Sequence, residues 1–330
     1  MSESRGEPRL SHRGAQIRTG DLSDPNGARY QAAPHPVERR SLAEGRRRRC
    51  ASSLRETILS LPVGDELAQI AAWRANVSEL VADCCERWGL RVAEPYVPGV
   101  CGHVVGVDLA DGTPAVLKVF WPHHEAEQEA DALERWGGDG AVRLLARDDE
   151  RHALLLERCE PGSFLSDASD PVGVLVELLP RLWCGGEGFR PLEAETEMWM
   201  EYMRETPDHR FQDVALGYIR ELAPTQGEQV LVNQDLHGEN VLAAQREPWL
   251  VIDPKPLCGE REFSVSSIVR SSELGHSKRD VLARLDRLCS DLDLDRERAK
   301  GWTIAQTIAW SGGRDYVETH METVRWLLED

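Results

Sequence analysis

In "LVNQDLHGENVLAAQREPWLVIDPKP", residues 231–256, two aspartates and an asparagine stand beside short apolar runs. Asp235 follows "VLV", Asn240 comes five residues later, and Asp253 ends "WLVI". The runs "VLAA" and "WLVI" read as the arms of a β-hairpin, which would bring Asn240 and Asp253 to one end. A carboxylate and an amide oxygen held together suit Mg²⁺, a hard cation that prefers oxygen ligands and bound phosphates. Asp235, left off the metal, could accept a proton from a hydroxyl. Taken singly, Asp235 and Asn240 are also good turn formers, and Asp253-Pro254 is an ordinary way to end a strand. The joint spacing, D-x₄-N with a second Asp 13 residues on, is what carries chemical meaning.

Upstream, "AVLKVF" places Lys118 inside an apolar strand, on the same face as Val116 and Phe120. A lysine there needs an anion or its burial is costly; a lysine snorkelling to the surface is the alternative. The next helical pattern, "HHEAEQEADALERW", offers Glu125, Glu127 and Glu129. Its inward stripe is Ala126, Ala130 and Leu133, while Glu127, Asp131 and Glu134 fall on the solvated face. Glu129 borders the inward stripe, so it is the preferred partner of Lys118. A lysine for phosphates, a cation clamp and a positioned acceptor base form the set that phosphoryl transfer needs.

The rest of the chain supplies the frame. Its 330 residues suffice for a sizeable core in two packed lobes. Residues 1–50 hold 11 Lys/Arg against 6 Asp/Glu without helical or strand period, which predicts a disordered basic extension. The remainder carries 28 against 51, a net −23 that argues against nucleic acid and favours cationic ligands. The apolar spacing from Asp65 to Gly89 predicts a helix within an N-terminal helical segment, 51–91. Residues 92–158 read as about five strands with one helix. They include a hairpin turning at Asp111-Gly112 and the runs "AVRLLA" and "HALLLER". Residues 159–330 read as helices near 171–183, 193–204, 211–222, 279–292, 296–310 and 315–328, interrupted by short strands over 230–253. The class is α+β. Eight scattered cysteines without C-x-x-C read as reduced thiols. No apolar run is long enough for a membrane span, and no secretory signal follows the N-terminal arginines, so a cytoplasmic protein is expected.

The segments "ADGTPAVLKVF", "EADALERWGGDGAVRLL", "ALLLERCEPG", "QDLHGENVLAA", "EPWLVIDPKP" and "LDRERAKGWTIAQ" resemble, collinearly over about residues 92–310, a known family. It is the aminoglycoside phosphotransferase branch of the protein-kinase-like fold, in the group that joins streptomycin 6-kinases with hydroxyurea phosphotransferases. The resemblance implies a bilobal fold with a small antiparallel β-rich lobe and a larger helical lobe. It also implies an ATP- and Mg²⁺-dependent O-phosphotransferase. Residue by residue, it makes Asp235 the catalytic base and Asn240 and Asp253 the Mg²⁺ ligands. Lys118 would contact the α- and β-phosphates and pair with Glu129. Glu157, Arg158 and Cys159 would form the hinge whose backbone bonds adenine.

The sequence departs from the wider fold at Asn233, where relatives usually carry a histidine that orients the loop. "PGVCGHVV" lacks a G-x-G-x-x-G, and "DPKP" stands in place of D-F-G, which argues against a protein substrate. Lys255 reads either as an extra phosphate contact or as a plain surface lysine. His237 reads as loop packing, and Glu260, Glu262 and Glu273 as candidate contacts for ammonium or guanidinium groups. The acceptor expected is a cationic aminoglycoside such as streptomycin, with hydroxyurea or another small metabolite as the alternative. A nucleotide-binding pseudokinase sensor is the rival of another class. A monomer with no nucleic-acid or membrane partner is expected.

Overall fold

The alternation in "AVLKVF" organises the small lobe. In the computed structural model, which describes residues 65–95, 101–205, 210–311 and 318–330, the strands are β1 (Arg91–Pro95), β2 (Gly102–Asp108), β3 (Pro114–Phe120), β4 (Leu144–Asp148) and β5 (Ala153–Glu157). They form one antiparallel sheet in the order β1-β2-β3-β5-β4. The β2–β3 turn falls at Asp111-Gly112 as expected: the Asp111 carboxylate accepts from the Thr113 N–H at 2.9 Å, and Gly112 takes φ +85°. On one face Val105, Val107, Ala115, Leu117, Val119, Ala153 and Leu155 pack against Val81 and Cys84 of helix α1 (Asp65–Trp88). The helix stops at Gly89, in the left-handed region at φ +63°. The opposite face presents Phe120, Leu154 and Leu156 to helix α2 (Glu129–Trp136) and to the large lobe.

The large lobe holds α3 (Pro171–Leu182), α4 (Leu192–Glu205), α5 (Gln212–Leu222), β6 (Gln229–Asn233), β7 (Val241–Ala243), β8 (Trp249–Val251), β9 (Pro256–Glu260), α6 (Ser266–Arg270), α7 (Lys278–Leu292), α8 (Arg296–Ala309) and α9 (Glu318–Leu328). The helix starts are written in sequence. Asp170, Ser277 and Asp295 each cap an N-terminus by accepting backbone N–H groups. The core is built around α8, whose Trp302, Ile304, Ala305 and Ile308 are fully buried. The hairpin expected from "VLAA" and "WLVI" is present, with Val241 opposite Val251.

Three local expectations are corrected. The helix read from "HHEAEQEADALERW" begins only at Glu129; residues 124–128 are turns. There Gln128 bonds Gly188 O and the Arg190 N–H instead of continuing a helix, and Glu125 turns into the cleft. "AVRLLA" yields a strand only from Leu144, because Val142 N–H donates across the lobes to Val251 O at 3.0 Å. Strand β9, paired with β6, was not expected at all: Pro254, Pro256 and Gly259 mask it. Residues 1–64, which include the basic extension and the first part of the helical segment, lie outside the described residues, as does Gly99 of "PGVCGHVV".

Candidate active site

Strand β3 and helix α2 build the upper half. Lys118 and Glu129 are both buried, and the Lys118 ammonium lies 2.7 and 2.6 Å from the two Glu129 oxygens. Gly102 sits above this lysine: a Cβ there would lie 3.9 Å from Lys118 Cε. Lys118 also reaches Asp253 Oδ1 at 2.5 Å, so one cation ties the small lobe to the large one. Burial disfavours the charged lysine, but the Asp253 and Glu129 carboxylates outweigh it and raise its pKa. Glu129 is shifted up, by burial first, with the neighbouring Asp253 charge adding to it.

The lower half is a loop pinned from behind. Asp235 is buried, just past β6. Its N–H donates to Asn233 Oδ1 at 3.0 Å, and the same oxygen accepts the Lys255 N–H at 3.0 Å. Asn233 thus ties the loop that carries Asp235 to the backbone of Lys255. Behind it, Gln306 donates to Gln234 O and Ser267 to Leu236 O. Asn240 turns its amide NH₂ toward Asp235, 2.9 Å from the backbone oxygen and 3.4 Å from Oδ2. That leaves the amide oxygen of Asn240 pointing away from Asp235. Asp253 follows the β7–β8 hairpin at φ +49°, a left-handed conformation uncommon for a residue with a Cβ. Its side chain is 49% exposed to the cleft. Loss of solvent raises its pKa, but Lys118 and Lys255 hold it down at about 2.

Asn240 and Asp253 therefore offer an amide oxygen and an ionised, cleft-facing carboxylate. This donor set fits Mg²⁺, whose remaining positions phosphates and water would fill.

The structure brings Lys118, Glu129, Asp235, Asn240 and Asp253 to one crevice. Glu157, Arg158 and Cys159, expected to form the hinge, lie where β5 leaves the sheet, Glu157 paired with Ala115 three residues before Lys118. Their side chains have a further role that sequence reading did not anticipate. The Glu157 carboxylate grips Arg246 at 2.8 and 2.9 Å, and Arg246 also donates to Gly138 O and Ala141 O, which fastens the end of β5 to the β7–β8 hairpin. Arg158 pairs with Glu94 of β1, and burial pushes the Cys159 thiol up to about 12. Gly162 is required just beyond, at φ +71°, since a Cβ would lie 3.0 Å from Cys159 O.

Sequence reading missed Arg270 and the true setting of Lys255. Lys255 is buried, not a surface lysine: it lies 2.8 Å from Asp235 Oδ2, 3.6 Å from Glu125 Oε2 and 5.3 Å above the Trp310 ring. Arg270 sits over the same ring at 4.4 Å, 3.9 Å from Asp235 Oδ1. Glu260, a candidate for substrate ammonium groups, is instead sealed in the core against Arg298 and Trp302.

His237 packs as expected, its Nδ1 2.9 Å from Glu273 Oε1, and Glu273 also accepts from Gly238 N–H and Ser271. Burial raises the Glu273 pKa, but these bonds and the His237 interaction bring it from the ordinary 4.5 to about 2. A depressed carboxylate contributes stability above its unfolded pKa and loses it as pH falls through the folded one. The contribution is thus complete above about pH 4.5 and gone near pH 2, on the order of 3 kcal/mol. Glu273→Gln is expected to flatten the acid limb of the urea midpoint across that window; an unchanged limb rejects the assignment.

The fold is similar to that of the choline kinase LicA from Streptococcus pneumoniae, with a TM-score of 0.57 at 14% identity, covering 77% of this chain and 98% of that one. It is the protein-kinase-like fold, and with this crevice the chain is a phosphotransferase acting on an alcohol group of a small molecule. The chain belongs to the aminoglycoside/hydroxyurea antibiotic resistance kinase family, whose family model matches residues 87–315. It is 37% identical to a streptomycin 6-kinase from Streptomyces griseus over 254 residues, 72% of this chain and 82% of that protein. It is 39% identical to a hydroxyurea phosphotransferase from Kitasatospora aureofaciens over 243 residues, 69% and 70% of the two chains. Like other kinases it uses a nucleotide as phosphoryl donor.

Proposed function

We propose that this enzyme transfers the γ-phosphate of ATP, with Mg²⁺, to a hydroxyl of a cationic aminoglycoside, streptomycin first among candidates. The observation that carries the reading is the convergence of Lys118 with Asp235, Asn240 and Asp253 in one crevice. In this reading Lys118, fixed by Glu129, takes the α- and β-phosphates, and the hinge of Glu157, Arg158 and Cys159 receives adenine. Asn240 and Asp253 hold the metal, which when bound neutralises phosphate charge as the bond to the leaving oxygen breaks. Asp235 takes the acceptor proton. Lys118, Asp235, Asn240 and Asp253 are all present together, which favours an active kinase over a pseudokinase sensor. The net −23 of residues 51–330 favours a cationic acceptor. Likeness to the streptomycin 6-kinase of Streptomyces griseus supports streptomycin, and likeness to the hydroxyurea phosphotransferase supports hydroxyurea as the second reading. Among the described residues no helix is long and apolar enough to cross a membrane, and the reading places the enzyme in the cytoplasm, with ATP.

The test is ADP release, coupled to NADH oxidation, across streptomycin, other aminoglycosides, hydroxyurea and simple sugars, with and without EDTA. Streptomycin-dependent turnover that EDTA abolishes is the expected result. Turnover only with hydroxyurea moves the acceptor to the second reading, and no acceptor-dependent turnover with any member rejects the activity.

A further inference from the structure

Lys255 lies outside the set of residues assigned to nucleotide and metal, yet it is among the most constrained cations in the protein. Both of its backbone groups are locked to the loop that carries Asp235: its N–H donates to Asn233 Oδ1 at 3.0 Å, and its carbonyl accepts the Gln234 N–H at 3.0 Å. This follows from the β6–β9 ladder, in which Asn233 stands opposite Pro256. The ammonium is then fixed between two carboxylates, Asp235 and Glu125, above the face of Trp310. A lysine so buried and so anchored is a poor candidate for a solvated accessory charge.

Its effect on Asp235 is asymmetric. Asp235 Oδ2 receives Lys255 at 2.8 Å and the Asn240 amide at 3.4 Å. Oδ1 has Arg270 at 3.9 Å, outside hydrogen-bond range. Among the described residues, Oδ2 thus takes both close donors and Oδ1 has none within hydrogen-bond distance. We propose that Lys255 is a positioning residue that clamps Oδ2 and so makes Oδ1 the oxygen that receives the acceptor's proton. The proposal rests on the kinase reading and deepens it. As the acceptor oxygen forms its bond to the γ-phosphorus, its proton passes to Asp235 Oδ1. The bond from phosphorus to the β,γ-bridging oxygen breaks, and ADP leaves with the electron pair. Lys255 stays charged throughout and exchanges no proton. It keeps the carboxylate from rotating, so that the basic oxygen meets the hydroxyl in one geometry.

The test is a double-mutant cycle on the full chain with Lys255→Met and Asp235→Asn. Lys255→Met is expected to lower kcat about a hundredfold while KM for ATP and the binding of a fluorescent ATP analogue change less than about threefold. Lys255→Arg, which keeps a donor to Oδ2, is expected to recover about tenfold of that loss. The double variant is expected to be no slower than Asp235→Asn alone, because Lys255 acts through Asp235. Losses that multiply would show that Lys255 acts independently of the base and overturn the proposal, as would a Lys255→Met enzyme with wild-type kcat. Lys255→Met leaves two buried carboxylates facing each other, so Glu125→Gln/Lys255→Met is measured as well; with the local charge restored, it must still show the kcat loss. The cycle is run with streptomycin and, in parallel, on slow phosphoryl transfer to water read as phosphate release. A wild type inactive on streptomycin then counts against the acceptor and not against Lys255.

Discussion

Asp235→Ala is expected to lower kcat at least a thousandfold while nucleotide affinity stays within about threefold of wild type. The two halves of this expectation have separate physical origins. A positioned general base contributes roughly 10² to 10⁴ in rate, and the other described carboxylates near the acceptor side are committed elsewhere. Asp253 is bound to Lys118, Glu125 faces the Lys255 ammonium at 3.6 Å, and Glu273 holds His237, Gly238 and Ser271. None can substitute without breaking an existing ion pair. In the proposed reading nucleotide contacts rest instead on Lys118, Glu129 and residues 157–159, none of which is hydrogen-bonded or ion-paired to Asp235. The alanine variant also strips Lys255 and Arg270 of their common carboxylate, leaving two buried cations over one indole ring. It should therefore melt earlier than wild type, and Asp235→Asn, which retains the shape and loses the charge, is the cleaner probe of chemistry. Steady-state ADP release and titration with a fluorescent ATP analogue measure the two halves. An alanine variant within tenfold of the wild-type kcat would remove Asp235 from the role of base.

What could be read from the sequence was whatever obeys a short period. Lys118 shares a strand face with Val116 and Phe120 by the two-residue alternation, and Glu129 borders the inward face of α2 by helical spacing. Their pairing at 2.6 Å therefore follows from local geometry. The hairpin that joins Asn240 to Asp253 was legible for the same reason. Lys255 was not. Its partner Asp235 is twenty residues away, and their contact depends on the register of β6 with β9, a strand hidden by two prolines and a glycine. Glu125 was on view only as one of three helical glutamates. Its true direction depends on the turns at 124–128, which Gln128 enforces through bonds to Gly188 and Arg190. The hinge residues came from resemblance alone, and the Glu157–Arg246 grip, spanning 89 positions, has no local signature. Glu260 shows the limit most plainly, because an acidic residue in a list of acidic residues gives no sign of its burial.

That burial makes Arg298→Ala the largest stability loss expected from a residue remote from the crevice. Glu260 is 1% exposed. Its carboxylate accepts from Arg298 Nη2 at 2.7 Å and Nε at 3.1 Å, from the Gly227 N–H at 2.9 Å, and from the Trp302 indole. Arg298 also donates to Thr225 O at 3.1 Å, so it closes the end of α5 onto α8. Removing one partner of a buried ion pair strands the other charge in a medium that solvates it poorly, at a cost of about 3–5 kcal/mol. Glu260 keeps two donors in Arg298→Ala, which places the loss near the lower end, about 3 kcal/mol, read as a fall in urea midpoint with unchanged slope. Glu260→Leu/Arg298→Ala removes the stranded charge and is expected to be more stable than Arg298→Ala alone. The readout extends to function, because Trp302 shares α8 with Gln306, the residue that holds Gln234 O behind Asp235. If α8 is a rigid strut, the folded fraction of Arg298→Ala retains wild-type kcat while its midpoint drops. A midpoint that does not move would mean that Glu260 is satisfied by Gly227 and Trp302 alone, and the arginine would then be an ornament of the surface instead of a member of the core.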